Sequence, residues 1–179
     1  ADFLSGLARY ARPPEYPAQF GARVFKISRD GQGARLTWLK VTGGSLRAKA
    51  VLSGEKEGEP WQEKADQLRL YSGEKFTPLE EAQAGTVCAV TGLTRTWPGE
   101  GLGFEAEGEA PLLGPVLTYQ LLLPNGDDPF TVLPKLRQLE EEDPMLRVVW
   151  DEKLGEIHVR LMGQVQLEVL RRLLHDRFG

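Results

Sequence analysis

The sequence of 179 residues carries a formal net charge of −4, with 41% hydrophobic and 27% charged residues, a composition typical of a folded protein with one large domain or two small ones. It contains no run of about 18 apolar residues, so we expect no membrane-spanning helix, and its first residues lack the apolar core of a secretory signal. Its single cysteine, Cys88, excludes an internal disulfide and favours a reducing, cytoplasmic setting.

The charge is distributed unevenly along the chain. Residues 1–54 contain nine Lys and Arg against three Asp and Glu, whereas residues 55–179 contain 13 against 23. A basic first third is suited to contact phosphates, because neutralising a phosphate backbone provides most of the affinity for nucleic acid. An ordinary mixed, solvated surface explains the same counts equally well.

Short strands and glycine turns dominate residues 23–93. The stretch "ARVFKIS" alternates, and "ARLTWLKVTGGSLRAKAVLSG" predicts two strands joined through Gly43 and Gly44, which are free to adopt positive φ. Further strands are predicted in "EKADQLRLYSGEKF" and "QAGTVCAVTGL". No helical period separates these strands, so the pattern predicts a small β-barrel or sandwich.

Residues 94–114 read as a loop and linker rather than as a regular element. The stretch "TRTWPGEGLGFEAEGEAPLLG" is rich in glycine and contains two prolines. We therefore place a domain boundary near Pro111.

From Pro115 the pattern becomes β-α-β-β-α. A strand in "VLTYQLLLP" precedes a helix that Asp128 can cap, with Pro129 in its first turn, and this helix must end by Asp143 because proline follows. A hairpin turn is predicted at Lys153–Gly155. This order predicts a ferredoxin-like, split β-α-β fold that lacks its last strand.

The second helix, in "GQVQLEVLRRLLHDRF", is predicted from its apolar spacing. Its main apolar stripe comprises Leu167, Leu170, Leu174 and Phe178, and a second set predicted to widen that stripe comprises Val165, Val169 and Leu173.

The sequence contains little recognisable catalytic chemistry. It has no G-x-x-x-x-G-K-[ST] phosphate-binding motif, and its two histidines and one cysteine do not have metal-ligand spacing. The acidic run 140–143 is predicted to be solvated surface, and the aromatic side chains Trp38, Tyr71, Trp97 and Trp150 look scattered. We therefore predict no catalytic, cofactor-binding or metal-binding residue in this chain.

Two stretches resemble the second and third domains of elongation-factor-G-like translational GTPases. The first is "AQAGTVCAVTGLTRTWPGEGLG", and the second contains L-x-x-E-D-P-x-L-R-V at Leu139–Val148, D-E-x-x-G-E at Asp151–Glu156 and G-x-x-x-L-E-V at Gly163–Val169. The form "GQVQLEV" is most similar to the tetracycline-resistance ribosomal protection proteins. Thr86 departs from the aspartate that this family often has after the Ala-Gly pair.

The resemblance implies a fold and a domain organisation. It implies a translation-factor-type β-barrel followed by a ferredoxin-like domain, giving a mixed β and α+β architecture. It assigns residues 1–20 to the tail of a preceding GTPase domain, 21–110 to the barrel and 111–179 to a truncated ferredoxin-like domain.

The resemblance also implies a function. It implies a fragment, not itself an enzyme, of a cytoplasmic GTPase that uses GTP and magnesium and binds small-subunit rRNA and a small-subunit protein of the ribosome. The parent would release tetracycline from the ribosome in a GTP-dependent way, or would be an elongation factor G or paralogue acting in translocation. A non-ribosomal ligand or protein interaction module is the alternative from another class.

The basic first third provides the residue-level hypothesis. We expect rRNA contacts among Arg35, Lys40, Arg47 and Lys49, and we expect the fragment to be monomeric.

Overall fold

The computed structural model describes residues 2–11, 14–56, 58–105, 114–124 and 127–179. In chain order the elements are α1 (Asp2–Tyr10), β1 (Gly21–Arg29), β2 (Arg35–Gly43), β3 (Ser45–Arg47), β4 (Val51–Lys56), β5 (Glu59–Lys64), β6 (Gln67–Ser72), β7 (Lys75–Leu79), β8 (Glu81–Gln83), β9 (Val87–Thr91), β10 (Gly101–Gly103), β11 (Leu117–Leu121), α2 (Pro129–Glu142), β12 (Arg147–Asp151), β13 (Glu156–Leu161) and α3 (Gln164–Phe178). No described helix is long and apolar enough to cross a membrane.

The first half is a β-barrel built on a six-stranded sheet with the order β10-β1-β2-β9-β6-β7. Two further antiparallel ribbons, β3-β8 and β4-β5, accompany this sheet. Alternate residues of the strands point inward, so side chains such as Leu39, Val41 and Leu68 are fully buried in one apolar cluster. The inward-facing alternation that the sequence shows is therefore the source of the barrel core.

A bulge in β1 changes which side chains face outward. Val24 pairs with Leu39 and Lys26 pairs with Trp38, so Phe25 is an extra residue in the ladder. Phe25 and Lys26 are consequently both exposed, and Ile27 returns to the core.

Two strands joined at Gly43 and Gly44, as predicted, are present as β2 and β3, but they do not pair with each other. Gly44 does have a positive φ of 54°, but β2 pairs with β1 and β9, whereas β3 pairs with β8. The stretch also contains a third strand, β4. The glycine pair makes a corner between sheets, because Gly44 N–H donates to Pro17 O at 2.8 Å instead of closing a β2–β3 ladder.

The linker composition of residues 94–114 also conceals a strand. Residues Gly101–Gly103 form β10, which pairs with β1 at the edge of the large sheet. Gly103 has a φ of 69°, and an added Cβ there would meet the Phe20 backbone, so glycine allows this close approach. The predicted boundary near Pro111 lies outside the described residues.

The second half has the predicted β-α-β-β-α order, and its three antiparallel strands lie in the order β11-β13-β12. Asp128 caps α2 by accepting from Phe130 N–H at 3.1 Å, Asp143 ends the helix, and Gly155 turns the β12–β13 hairpin with a φ of 64°. The two helices bury residues such as Leu136 and Leu170 against the sheet. The mixed β and α+β fold, a barrel followed by a ferredoxin-like unit with three described strands, is confirmed.

The apolar face of α3 is narrower than the spacing predicts. Leu170 is buried, and Leu167, Leu173, Leu174 and Phe178 pack against the core. Val165 and Val169 are exposed, however, and neither packs against the core of the second half. The prediction that these two valines widen the buried stripe is therefore wrong.

Candidate nucleic-acid interface

The four basic residues predicted to contact RNA do not form one patch. Arg35 and Lys40 both lie on β2, but they are five residues apart, about 16 Å along an extended strand. Side chains alternate between the two faces of a strand, so Arg35 and Lys40 leave β2 on opposite faces. Arg47 and Lys49 lie at and just beyond the end of β3.

Arg35 is a structural hub between the barrel and α2. Its side chain is only 10% exposed. The guanidinium donates to Leu93 O at 2.7 Å and to Thr96 O at 2.6 Å, and it also donates to the hydroxyl groups of Thr37 and Thr96 at 3.1 and 2.9 Å. Its Nε donates to Glu141 Oε2 at 3.1 Å. All the guanidinium nitrogens are therefore engaged, and its expected rRNA contact stays an untested prediction.

The acidic run 140–143 is not the solvated surface that its composition predicts. Glu141 accepts hydrogen bonds from Arg35 and from Arg29 of β1, so it joins α2 to the barrel. Glu142 accepts two hydrogen bonds from Arg177 of α3, at 2.8 and 2.9 Å, and this contact raises the pKa of the arginine. Glu141 therefore contacts the barrel and Glu142 contacts α3, and no local sequence pattern predicts these partners.

The two other carboxylates of the run order the chain after α2. Glu140 accepts from Val148 N–H at 3.0 Å and from Arg137 at 2.6 Å. Asp143 accepts from Met145 N–H at 2.9 Å and from the Gln166 amide at 2.6 Å. The run therefore fixes how α2 meets β12 and α3.

Lys40, Arg47 and Lys49 are the exposed members of the predicted set. Lys40 forms no ion pair with a described residue. Arg47 lies 3.4 Å from Glu81 and Lys49 lies 3.3 Å from Asp66, and both cations are more than 60% exposed. Exposed pairs of this kind contribute about 1 kcal/mol or less, so both cations are free to exchange a carboxylate for a phosphate at small cost.

The backbone holds Lys49 in a fixed direction. Its φ is 70°, which is uncommon for a residue with a side chain, and its N–H donates to Ala65 O at 2.6 Å. This turn connects β3 to β4 and orients the lysine outward at the edge of the barrel.

Trp38 and Tyr71, two of the aromatic residues that look scattered in the sequence, form one cluster with Phe76 on the barrel. The Trp38 and Tyr71 rings are 5.0 Å apart between centroids, and Tyr71 and Phe76 are 5.4 Å apart. Arg69 lies over the Phe76 ring at 4.3 Å and pairs with Asp30 at 2.8 Å. Tyr71 and Phe76 are direct partners in the β6–β7 hairpin, and the Ser72-Gly73 turn could have predicted that contact. The contact with Trp38 is long-range and has no local signal.

These aromatic residues line a groove of about 690 Å³ between two hairpins. Its charged lining residues, Arg29, Asp30, Arg69 and Glu74, sum to zero. Charge therefore does not favour an anion in this groove.

A buried carboxylate fixes the loop that follows β9. Glu100 is 1% exposed, and it accepts from Trp61 Nε1 at 2.9 Å and from Trp97 N–H at 3.2 Å. The Trp97 indole N–H approaches Glu55 O at 3.4 Å. These contacts hold the half-buried Trp97 ring on the side of the barrel that faces the second half.

The described residues provide little for covalent or metal chemistry. They contain no group of three or more His, Cys, Asp and Glu side chains that could hold a metal ion. Cys88 is buried in the barrel core, and burial raises the pKa of its thiol to about 11. At neutral pH this thiol is protonated, so it is a poor nucleophile.

Comparisons with known proteins place the chain beside elongation factors G. No protein-family model matches it. It is 33% identical over 163 residues to elongation factor G 2 of Geobacter metallireducens, covering 88% of this chain and 23% of the relative. It is 33% identical over 165 residues to elongation factor G 1 of Geobacter sulfurreducens (89% and 23%), and 28% identical over 175 residues to elongation factor G of Pseudothermotoga lettingae (93% and 24%).

A solved structure shows a similar fold. The crystal structure of ttk003000868 from Thermus thermophilus matches with a TM-score of 0.73 and 26% identity, over 98% of this chain and 27% of that chain. The chain spans about a quarter of the length of the curated relatives that it matches. Over nearly its whole length, this chain is therefore similar to a segment of elongation factor G.

Proposed function

We propose that this chain is part of a ribosome-binding translational GTPase that acts in the cytoplasm. The observation that carries the proposal is the 33% identity to an elongation factor G over 88% of the chain. The barrel and the ferredoxin-like unit correspond to residues 21–110 and 111–179, and residues 1–20 correspond to the tail of a preceding GTPase domain. The fragment contributes binding and positioning, and it is not itself an enzyme.

We assign GTP and magnesium to another part of the longer protein. This chain contains no G-x-x-x-x-G-K-[ST] motif, and its described residues contain no acidic cluster suited to a metal. In the proposal, therefore, no step of GTP hydrolysis passes through this chain.

In the proposal, the barrel rests on small-subunit rRNA through Lys40, Arg47 and Lys49. The support is chemical, because all three are exposed and none is committed to a strong partner. Arg35 belongs to the same hypothesis, although its guanidinium already bridges the barrel and Glu141. The ferredoxin-like unit contacts a small-subunit protein, and the chain alone is monomeric.

Two roles are open to the longer protein. The helix start Gly163–Val169, "GQVQLEV", favours ribosomal protection, in which tetracycline is released from the ribosome in a GTP-dependent way. The similarity to elongation factors G favours an elongation factor acting in translocation. Displacement of labelled tetracycline from ribosomes by the longer protein with GTP supports the first role, and catalysed translocation without displacement supports the second.

Co-sedimentation with ribosomes tests the proposal on this chain. We expect saturable pelleting that survives competition by bulk RNA and weakens as salt rises, with a slope of about 0.7–0.9 per phosphate contact. The variant Lys40→Glu with Lys49→Glu should lower the affinity and the salt slope. The control variant Lys153→Glu with Arg171→Glu makes the same charge change on exposed positions of the second half. No pelleting at any salt, for this chain and for the longer protein with a non-hydrolysable GTP analogue, would refute the proposal.

A further inference from the structure

The boundary between the two halves contains a cleft of about 500 Å³ with a net positive lining. Four cations line it, namely Arg35, Lys56, Arg137 and Arg147, against the two carboxylates of Glu140 and Glu141. Both carboxylates are already neutralised, since Glu140 pairs with Arg137 and Glu141 pairs with Arg35. Lys56 and Arg147 form no ion pair with a described residue, although the whole chain carries a charge of −4.

The positive charge continues from the cleft onto the open face of the second sheet. Arg147 of β12 is the direct cross-strand partner of Arg160 of β13, and both side chains are exposed. Like charges directly opposite each other destabilise a sheet. Neither arginine has a carboxylate partner among the described residues, so an external anion would relieve their repulsion.

The geometry of this row is suited to phosphate groups. Directly opposed residues in an antiparallel pair have Cβ atoms about 4.5–5.5 Å apart. The two guanidinium groups can therefore bind one phosphate or two successive ones, through their planar forks of N–H donors. Thr118 of β11 is the next residue across the sheet from Arg160, and its exposed hydroxyl extends the row with another donor.

An aromatic ring beside the cations distinguishes RNA from an acidic peptide. Trp97 lines the same cleft as Lys56 and Arg147, and Glu100 and Glu55 hold it in place. Bases of single-stranded or looped RNA stack on such rings while basic side chains bind the backbone. A cationic row alone would fit either partner, but a row next to a fixed tryptophan favours RNA.

We infer that Lys56, Arg147 and Arg160, together with Trp97, form a second RNA-binding surface, which we call the junction face. It binds the phosphates of a looped RNA segment on the three cations and stacks one base on Trp97. This surface is separate from the barrel contacts at Lys40, Arg47 and Lys49. The inference rests on the proposed function, because the ribosome is the source of the RNA.

Binding of a fluorescently labelled RNA hairpin with a single-stranded loop, titrated at several salt concentrations, tests the inference. The variant Arg147→Glu with Arg160→Glu should weaken binding about tenfold or more at moderate salt and lower the salt slope by about 1.4, the equivalent of two single-strand phosphates. The control Arg171→Glu with Arg172→Glu makes the same charge change on the exposed side of α3 and should change affinity much less. If the reversal destabilises the fold in thermal melts, Arg147→Gln with Arg160→Gln replaces it and should lower the slope by the same amount.

The stacking contact has its own variant. Trp97→Leu should weaken hairpin binding about fivefold or more with an unchanged salt slope, because it removes stacking but no charge. Poly-glutamate should compete poorly with the hairpin. Equal competition by poly-glutamate, or an unchanged affinity of Trp97→Leu, would overturn the RNA assignment in favour of an acidic protein.

Ribosome pelleting separates a failure of this inference from a failure of the proposed function. If the unmodified chain pellets and the junction-face variant pellets equally well, the junction face is wrong and the ribosomal proposal stands. If neither the chain nor the longer protein pellets, the proposed function is wrong. If the junction-face variant and the α3 control lose the same hairpin affinity, the change in net charge alone explains the loss. That result would overturn the inference.

Discussion

Arg35, the first residue of β2, should contribute more to the stability of the fold than an arginine on the protein surface usually does. In Arg35→Met the side chain keeps its length but loses every donor. The backbone carbonyls of Leu93 and Thr96 then lose the guanidinium donors of Arg35, which lie 2.7 and 2.6 Å from them. An unsatisfied buried acceptor costs about 1–3 kcal/mol, and the edge position of Arg35 lets some water in, so we expect a loss of about 3 kcal/mol.

Glu141→Gln should have a smaller effect. The amide oxygen can still accept from Arg35 Nε, now 3.1 Å from the carboxylate, so only the charge is lost. The Glu141 side chain is 34% exposed, and ion pairs of this exposure contribute about 1 kcal/mol or less. Thermal unfolding followed by circular dichroism should show a decrease in Tm of about 2–4 °C per kcal/mol. We therefore expect about 6–12 °C for Arg35→Met and no more than about 4 °C for Glu141→Gln.

Glu152→Gln is the matched control, because Glu152 is exposed in the β12–β13 turn and forms no ion pair with a described residue. It should leave Tm unchanged within about 1 °C, since surface substitutions change stability little. A Tm of Arg35→Met within about 2 °C of the unmodified chain would refute the hub role of this arginine.

Three further predictions concern single contacts. The hydrogen bond from Arg69 lowers the pKa of Asp30 in the folded state. The Asp30 carboxylate therefore stabilises the fold above its unfolded pKa of about 4, and this contribution is lost as the pH falls through the lower folded pKa. Between about pH 6 and pH 2, the Tm of Asp30→Asn should therefore fall less than the Tm of the unmodified chain. Asp128→Ala removes the α2 cap and should cost about 1 kcal/mol in urea unfolding, whereas Asp128→Asn should cost much less. Cys88, with a buried thiol of pKa about 11, should react with a thiol reagent at pH 7.5 only at the rate of unfolding, and rapid labelling of the native chain would contradict this.

Features that depend on neighbouring residues could be predicted from the sequence. The cap at Asp128, the end of α2 before Pro144 and the turn at Gly155 follow from local rules of backbone geometry and hydrogen bonding. The β12–β13 hairpin follows from its short turn in the same way, whereas β11 pairs with β13, which is not its neighbour in the chain, and no local rule predicts that pairing.

Features that depend on distant residues could not be predicted. The pairing of β3 with β8 joins residues about 36 positions apart, and the contact of Arg35 with Glu141 joins residues 106 positions apart. The acidic run shows the difference most clearly, since its composition is that of a solvated helix end. Its actual role depends on Arg29, Arg35 and Arg177, which only the folded chain brings to it.

The junction between the two halves depends more on polar contacts than on apolar packing. Ile27 of β1 and Leu139 of α2 line a largely apolar cleft of about 200 Å³ that lies between the barrel and α3. Side chains that line a void lose dispersion contacts on that side, so apolar packing here leaves the angle between the halves weakly fixed. We expect the ion pairs of Glu141 with Arg29 and Arg35 to contribute most to fixing that angle. Salt screens the longer Arg29 pair more than the Arg35 pair, because Arg35 is the less exposed cation. We therefore expect the position of the barrel lysines relative to the junction face to depend chiefly on Arg35.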